Sequence, residues 1–167
     1  MTYKFIEEVL RTSDTNVLAL ESAYRLLLLL GAKGNNLQTL IEKGCKKLVL
    51  NGFYMPVKSK EMLILIIQIL RIIYGKNREE DVAAKEEVKK IIFKVMFDNI
   101  IHVELCCEGF LLLSVLIDEK NKEDRMGVSE IIKILMNEYK DNEKEMHKIA
   151  QATSHLPIED LLNDKLE

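Results

Sequence analysis

Four stretches of the chain carry apolar residues with the spacing of an α-helix, strongly in the first three and more weakly in the fourth. These stretches are residues 17–30, 58–74, 102–117 and 144–156. Amphipathic stretches that predict shorter helices alternate with them, at residues 3–11, 37–50, 82–97 and 126–139. The pattern predicts about eight helices, no sheet, and a structural repeat with a period of about 42 residues.

Glycines and polar connectors fall in phase with this repeat. Gly44 and Gly127 are separated by about twice the period, and each is expected to precede a short apolar helix. The connectors at residues 13–16 and 141–143 hold equivalent places ahead of a long apolar stretch. Because Ser, Asp and Asn side chains accept hydrogen bonds from the first amides of a helix, both connectors are predicted to be N-caps.

The pattern resembles the armadillo repeat family and its looser relative, the HEAT repeat. The likeness lies in a short helix ending in residues such as Leu48-Val49-Leu50, then a polar turn, then a long helix with small residues one turn apart. Residues 6–17 look like the junction between the second and third helices of an armadillo repeat. The resemblance covers most of residues 3–155.

The resemblance implies a right-handed α-solenoid of about 3.5 repeats, in a single domain over residues 1–167. The expected repeats are about 1–34, 35–77, 78–120 and 121–156, with residues 157–167 as a capping or linker tail. Single helical hairpins cannot bury their apolar faces, so stacked neighbours share one core. A closed bundle of six to eight helices is the rival arrangement, and it does not require a repeating period.

In armadillo proteins the long helices line a concave groove that holds a peptide, and importin-type members carry asparagines and tryptophans along it. This chain has no Trp, and no Asn within 17–30, 58–74 or 102–117. The resemblance therefore implies a partner other than a nuclear localisation signal. The polar interruptions of the long helices are the candidate partner-binding residues: Tyr24, Arg25, Gln68 and Arg71. The expected function is a non-catalytic scaffold or adaptor that binds a peptide or helix of another protein.

Composition and charge narrow the class of protein. The chain has 167 residues, of which 48% are hydrophobic and 31% charged, and its net charge is -3. This balance is typical of a globular domain and lacks the basic face that nucleic acid requires. The apolar run 62–74 contains Gln68 and Arg71 and is too short to cross a bilayer. The first residues do not form a signal peptide, and three unpatterned cysteines favour a reducing compartment, so cytosol or nucleus is expected.

Catalytic and metal-binding constellations are sparse. His102 and Cys106 are one helical turn apart with Cys107 beside them, but a structural zinc site needs four ligands. The same residues could imitate a catalytic thiol–imidazole pair, but two residues one turn apart on a single helix have no oxyanion hole between them and no third group to orient the base. The glycines at 31 and 34 follow a helix rather than a strand, unlike a phosphate-binding loop. We therefore expect no enzymatic activity, no metal and no cofactor.

A cluster of lysines offers a second type of surface. Its members are Lys43, Lys46, Lys47, Lys58 and Lys60. Interleaved glutamates make a solvated helix face the simplest interpretation, with a patch for an acidic partner as the other. The alternative function is a membrane-surface trafficking adaptor that uses these lysines on anionic lipid, or a regulatory piece of a larger protein. The identity of the partner, the oligomeric state and the completeness of the chain stay open.

Overall fold

The computed structural model describes residues 2–13, 15–32, 36–42, 44–76, 82–118 and 120–158. These residues form α-helices joined by short turns and contain no strand, so the all-α prediction is confirmed. The described residues contain nine α-helices: α1 (Thr2–Thr12), α2 (Val17–Ala32), α3 (Asn36–Glu42), α4 (Cys45–Asn51), α5 (Lys60–Lys76), α6 (Val82–Asp98), α7 (Val103–Leu116), α8 (Lys122–Glu138) and α9 (Glu143–Thr153). A short 3₁₀ helix, Gly52–Tyr54, follows α4.

The apolar pattern located the helices well. Helices α2, α5, α7 and α9 begin at Val17, Lys60, Val103 and Glu143, each within two residues of the predicted start. The predicted helix over 37–50 is two helices, because Gly44 adopts the left-handed conformation with φ of 79°. That conformation disfavours any residue with a Cβ and ends α3.

Polar side chains cap the helices where the connectors predicted them. The side chain of Asn16 accepts a hydrogen bond from the amide of Ala19 at 3.1 Å, and that of Asn142 accepts one from Glu145 at 3.2 Å. Asn121 caps α8 in the same way and accepts from the amides of Glu123 and Asp124. Because of this cap, α8 begins at Lys122, four residues before the predicted start at 126.

Two sequence-based expectations about the second half of the chain are wrong. Gly127 lies inside α8 rather than ahead of it, and the ring of Phe93 from α6 packs against the position where a Cβ would be. Helices α6 and α8 have 17 residues each, whereas α7 has 14 and α9 has 11. The alternation of short and long helices therefore does not hold in this half of the chain.

The chain divides into two compact units, Met1–Glu79 and Glu80–Glu167. The single domain over residues 1–167 and the four repeat boundaries stay predictions. In the first unit, α2 and α5 form the most extensive contact. Helix α1 packs on α2 and α4, and α4 packs on α5.

Helix α5 is the core of the first unit. Every residue from Met62 to Tyr74 is buried except Gln68, Arg71 and Ile72, which are half-buried. The N-terminus of the helix is fixed by Ser59, whose hydroxyl accepts from the amide of Met62 at 3.0 Å and donates to Glu21 Oε1 in α2 at 2.5 Å. The same side chain thus caps α5 and holds it to α2.

The second unit repeats this arrangement of contacts. Helix α7 packs on α9 most extensively, α6 packs on α7 and α8, and α8 packs on α9. Lys89 of α6 is buried and forms ion pairs with Glu86 and with Asp124 of α8. Burial lowers the pKa of Lys89, but hydrogen bonds to Asp124 and Glu86 and their charges outweigh it and raise the pKa overall. The cluster therefore joins α6 to α8 with the lysine charged.

Two glycines of the first unit offer a matched test of this packing. A Cβ on Gly52 would overlap the hydroxyl of Tyr24 and the Cδ1 of Ile66, whereas a Cβ on Gly75 would meet open space. We predict that Gly52→Ala lowers the free energy of unfolding by about 1–3 kcal/mol through overpacking. Gly75→Ala should raise it by about 0.5 kcal/mol, because alanine is the better helix former. Urea unfolding measures both, and equal effects would contradict the close contact at Gly52.

Candidate functional site

Tyr24, the first of the predicted partner-binding residues, is not on the surface. Its side chain is fully buried, and its hydroxyl lies next to Gly52 without a hydrogen bond in the part of the chain that the structure describes. Burial raises its pKa above the usual range. The expectation of an exposed Tyr24 is wrong, because this face of α2 packs inward, and the residue contributes to the core.

Arg25 is exposed and lies in a row of exposed residues on one face of α2. We call this row the α2 stripe, and its members are Leu18, Ser22, Arg25, Leu26 and Leu29. Leu18 is 76% exposed, Leu29 61% and Leu26 39%. Residues 18, 22, 25 and 29 follow a spacing of four, three and four, which places them along one line of an α-helix.

The polar groups next to the α2 stripe are mostly engaged elsewhere. The hydroxyl of Ser22 donates to the carbonyl oxygen of Leu18 at 2.8 Å, within the helix. Glu21, four residues before Arg25, accepts a hydrogen bond from Ser59 of the neighbouring connector. The structure records no ion pair for Arg25 with any described residue. The stripe is therefore apolar, with one available guanidinium near its middle.

Gln68 and Arg71 lie one turn apart on α5, the helix that packs on α2. Both are half-buried, and both interact with other groups of the chain. They therefore present only part of their side chains to a partner. Their assignment to a partner-binding surface stays a prediction.

The lysine cluster is partly committed to local contacts. Lys46 Nζ lies 4.8 Å from the centre of the Tyr74 ring, and Lys58 donates to the carbonyl oxygen of Phe53 at 2.9 Å. Lys60 Nζ lies 3.5 Å from Glu61 Oε1. Lys46 is half-buried and Lys47 is exposed, whereas Lys43 lies outside the described residues. These contacts direct three of the ammonium groups towards groups of the chain itself, and the membrane-adaptor function stays an alternative prediction.

Cys106, one helical turn from His102, is buried against backbone carbonyl groups. Cys106 Sγ lies 3.7 Å from the carbonyl oxygen of Met96 and 3.8 Å from that of Asn99, and it is buried. Burial raises the pKa of Cys45 and Cys106 to about 12 and that of Cys107 to about 11. At neutral pH these thiols are protonated. Within the described ranges, no group of three or more His, Cys, Asp or Glu side chains is arranged to hold a metal ion.

The structure also reveals a groove that the sequence did not suggest. A cavity of about 330 Å³ lies between α6 and α8, with Phe93, Phe97 and Ile131 among its lining residues. Phe97 is 59% exposed. The sequence signal for this groove is the pair of phenylalanines four residues apart on one predicted helix. The same spacing is equally typical of a helix face that packs into the core.

Comparisons of the chain with protein families, with curated proteins and with solved structures find no match. Among the described residues, no helix has the length and apolar character needed to span a membrane. The case for function therefore depends on the surfaces of the molecule itself.

The raised pKa values of the thiols predict how stability depends on pH. A thiol whose pKa rises on folding, from 9.0 to about 12 for Cys45, holds its proton more firmly in the folded chain. The unfolded chain then binds fewer protons above about pH 9, so the free energy of unfolding falls as pH rises towards 12. Urea unfolding at pH 7, 8, 9 and 10 measures this decrease. The slope should be smaller in Cys45→Ala and Cys106→Ala, and a wild-type free energy that stays constant from pH 8 to 10 would contradict it.

Proposed function

We propose that this protein is a non-catalytic interaction scaffold of the cytosol or nucleus, built as an armadillo- or HEAT-like α-solenoid. Its partner-binding surface is the α2 stripe, with Gln68 and Arg71 of α5 as additional contacts. The partner is a helix or peptide of another protein. The exposure of Leu18, Leu26 and Leu29 on one helix face is the observation that carries the proposal.

The spacing and packing of the helices support a solenoid. The starts of α2, α5, α7 and α9 follow one another at intervals of about 42 residues, as in a helical repeat. The hairpins are α1–α2 and α4–α5 in the first unit, and α6–α7 and α8–α9 in the second. Within each unit the second helices of the two hairpins pack on each other, α2 on α5 and α7 on α9. The first helices do the same, α1 on α4 and α6 on α8. Stacked hairpins produce this order of contacts, whereas an up-and-down bundle packs consecutive helices round a closed ring.

The exposed leucines favour a binding function over a bare solvent face. Single exposed apolar residues are normal, but a contiguous row of them marks an interaction site. Covering a leucine side chain as exposed as Leu18 or Leu29 would contribute about 1–2 kcal/mol. The leucines would supply apolar contact area, and Arg25 would supply a polar contact of the kind that is often an interface hot spot.

The proposal predicts that polar substitution of the stripe abolishes partner binding without unfolding the protein. The variant is Leu18→Gln with Leu29→Gln, since glutamine forms helices about as well as leucine. The matched control is Val82→Gln, which changes a residue of α6 that is 73% exposed. Affinity purification from cell lysate with quantitative mass spectrometry should find proteins that wild type and the control retain and the stripe variant loses.

Purified partners then allow calorimetric titration. Arg25→Glu and Arg71→Glu should each weaken binding by about 1 kcal/mol or more, the usual threshold of a hot spot. Circular dichroism checks that each variant keeps its helix content. If every protein retained by wild type is retained equally by the stripe variant, the α2 stripe is not the binding surface.

A further inference from the structure

The α2 stripe has the geometry of a helix-docking seam. Side chains spaced four, three and four residues apart form the straight row that packs between the side chains of a second helix. An extended peptide, by contrast, needs partners for its backbone amides and carbonyls. The amides and carbonyls of α2 serve the helix itself, and the Ser22 hydroxyl is already bonded to the carbonyl oxygen of Leu18. The stripe therefore fits a helix better than an extended segment.

Arg25 determines which helix the stripe accepts. It lies between Leu18 and Leu29, and its usual ion-pair partner at the preceding turn, Glu21, is hydrogen-bonded to Ser59. A helix that covers the leucines also covers the stem of Arg25 and removes water from its guanidinium. The guanidinium then needs an acceptor from the incoming helix, and a carboxylate meets its planar set of donors with two parallel hydrogen bonds.

A second copy of the same stripe cannot supply that carboxylate. If two copies of α2 paired in parallel and in register, Arg25 would face Arg25. If they paired antiparallel with Leu18 opposite Leu29, Arg25 would face Ser22, and the two arginines would lie within one helical turn, about 5 Å along the axes. Either arrangement brings like charges together where water is excluded, which disfavours the pair.

We propose that the α2 stripe binds one amphipathic helix from a different protein, and that this helix carries Asp or Glu opposite Arg25. The same arginine prevents the stripe from pairing with a second copy of this chain. This inference rests on the proposed function and specifies the chemistry of the partner at the same site.

The first experiment tests the effect of Arg25 on self-association and needs no partner. In sedimentation velocity over a range of concentrations, the wild-type protein should show no association that depends on the α2 stripe. Arg25→Leu should self-associate at concentrations at least tenfold lower than wild type, because it completes the apolar row. Adding Leu18→Gln and Leu29→Gln to that variant should reverse the association.

The matched control for this experiment is Arg11→Leu. Arg11 is another exposed arginine of the first unit, and it is paired with Glu7 at 2.9 Å. This control should sediment as wild type does. Arg25→Leu sedimenting as wild type, or a wild-type dimer that Leu18→Gln with Leu29→Gln dissolves, would overturn the inference.

The second experiment tests the charge of the partner. The probes are two synthetic amphipathic helical peptides with leucines in heptad spacing, identical except for Glu or Lys at the central position of the apolar face. Wild type should bind the Glu peptide at least tenfold more tightly than the Lys peptide, and Arg25→Glu should reverse the order. Equal binding of both peptides to wild type, or binding of neither, would overturn the inference.

The outcomes separate this inference from the proposed function. Natural partners that require the leucines but bind equally to wild type and Arg25→Glu would leave a leucine-dependent scaffold function in place. They would contradict the hot-spot role of Arg25 and overturn the acidic-helix inference. A charge-dependent peptide preference, with no natural partner that depends on the leucines, would support the seam and contradict the scaffold function.

Discussion

The contact between α2 and α5 is the interaction on which the first unit depends. Helix α5 is apolar almost all round and is buried over most of its length, so other helices must cover it. Helix α2 provides the largest of these contacts within the unit. The Ser59 side chain fixes the start of α5 by capping that helix and by donating a hydrogen bond to Glu21 of α2. With α2 held in this way, its inward residues, including Tyr24, form core, and its outward residues, among them Leu18 and Leu29, are exposed.

The exposed face of α2 follows from the composition of the helix. Helix α2 is rich in leucine on all sides, and neighbouring helices reach only part of its circumference. Leu18 and Leu29 remain in water as a result. A protein tolerates such a row more readily when a charge interrupts it, because the charge opposes unwanted pairing of identical surfaces. Arg25 provides that interruption, and in the proposed complex the same charge would select the partner.

The apolar pattern predicted where the helices lie, because a helix that buries one face carries apolar residues at the spacing of the helical turn. It predicted the caps because these depend on local side chains such as Asn16 and Asn142. It misplaced Tyr24, because a tyrosine suits core and surface equally and only tertiary packing decides. The prediction for Gly127 was wrong, since a glycine that makes room for the Phe93 ring inside a helix has the same sequence signal as one that precedes a helix. The groove between α6 and α8 could not be predicted, because it depends on how two helices are placed in space, and a local sequence pattern holds no information on that.

The proposal that the α2 stripe binds an acidic amphipathic helix is tested most directly by locating such a helix on the protein. Methyl-labelled protein can be titrated with the central-Glu peptide and followed by NMR, with each leucine methyl assigned. If the peptide binds the α2 stripe, the largest shift changes fall on Leu18, Leu26 and Leu29, and the buried neighbours Leu20 and Leu27 change less. Shift changes centred on the Ile131 methyl groups at the α6–α8 groove, with the α2 leucines unchanged, would contradict binding at the α2 stripe.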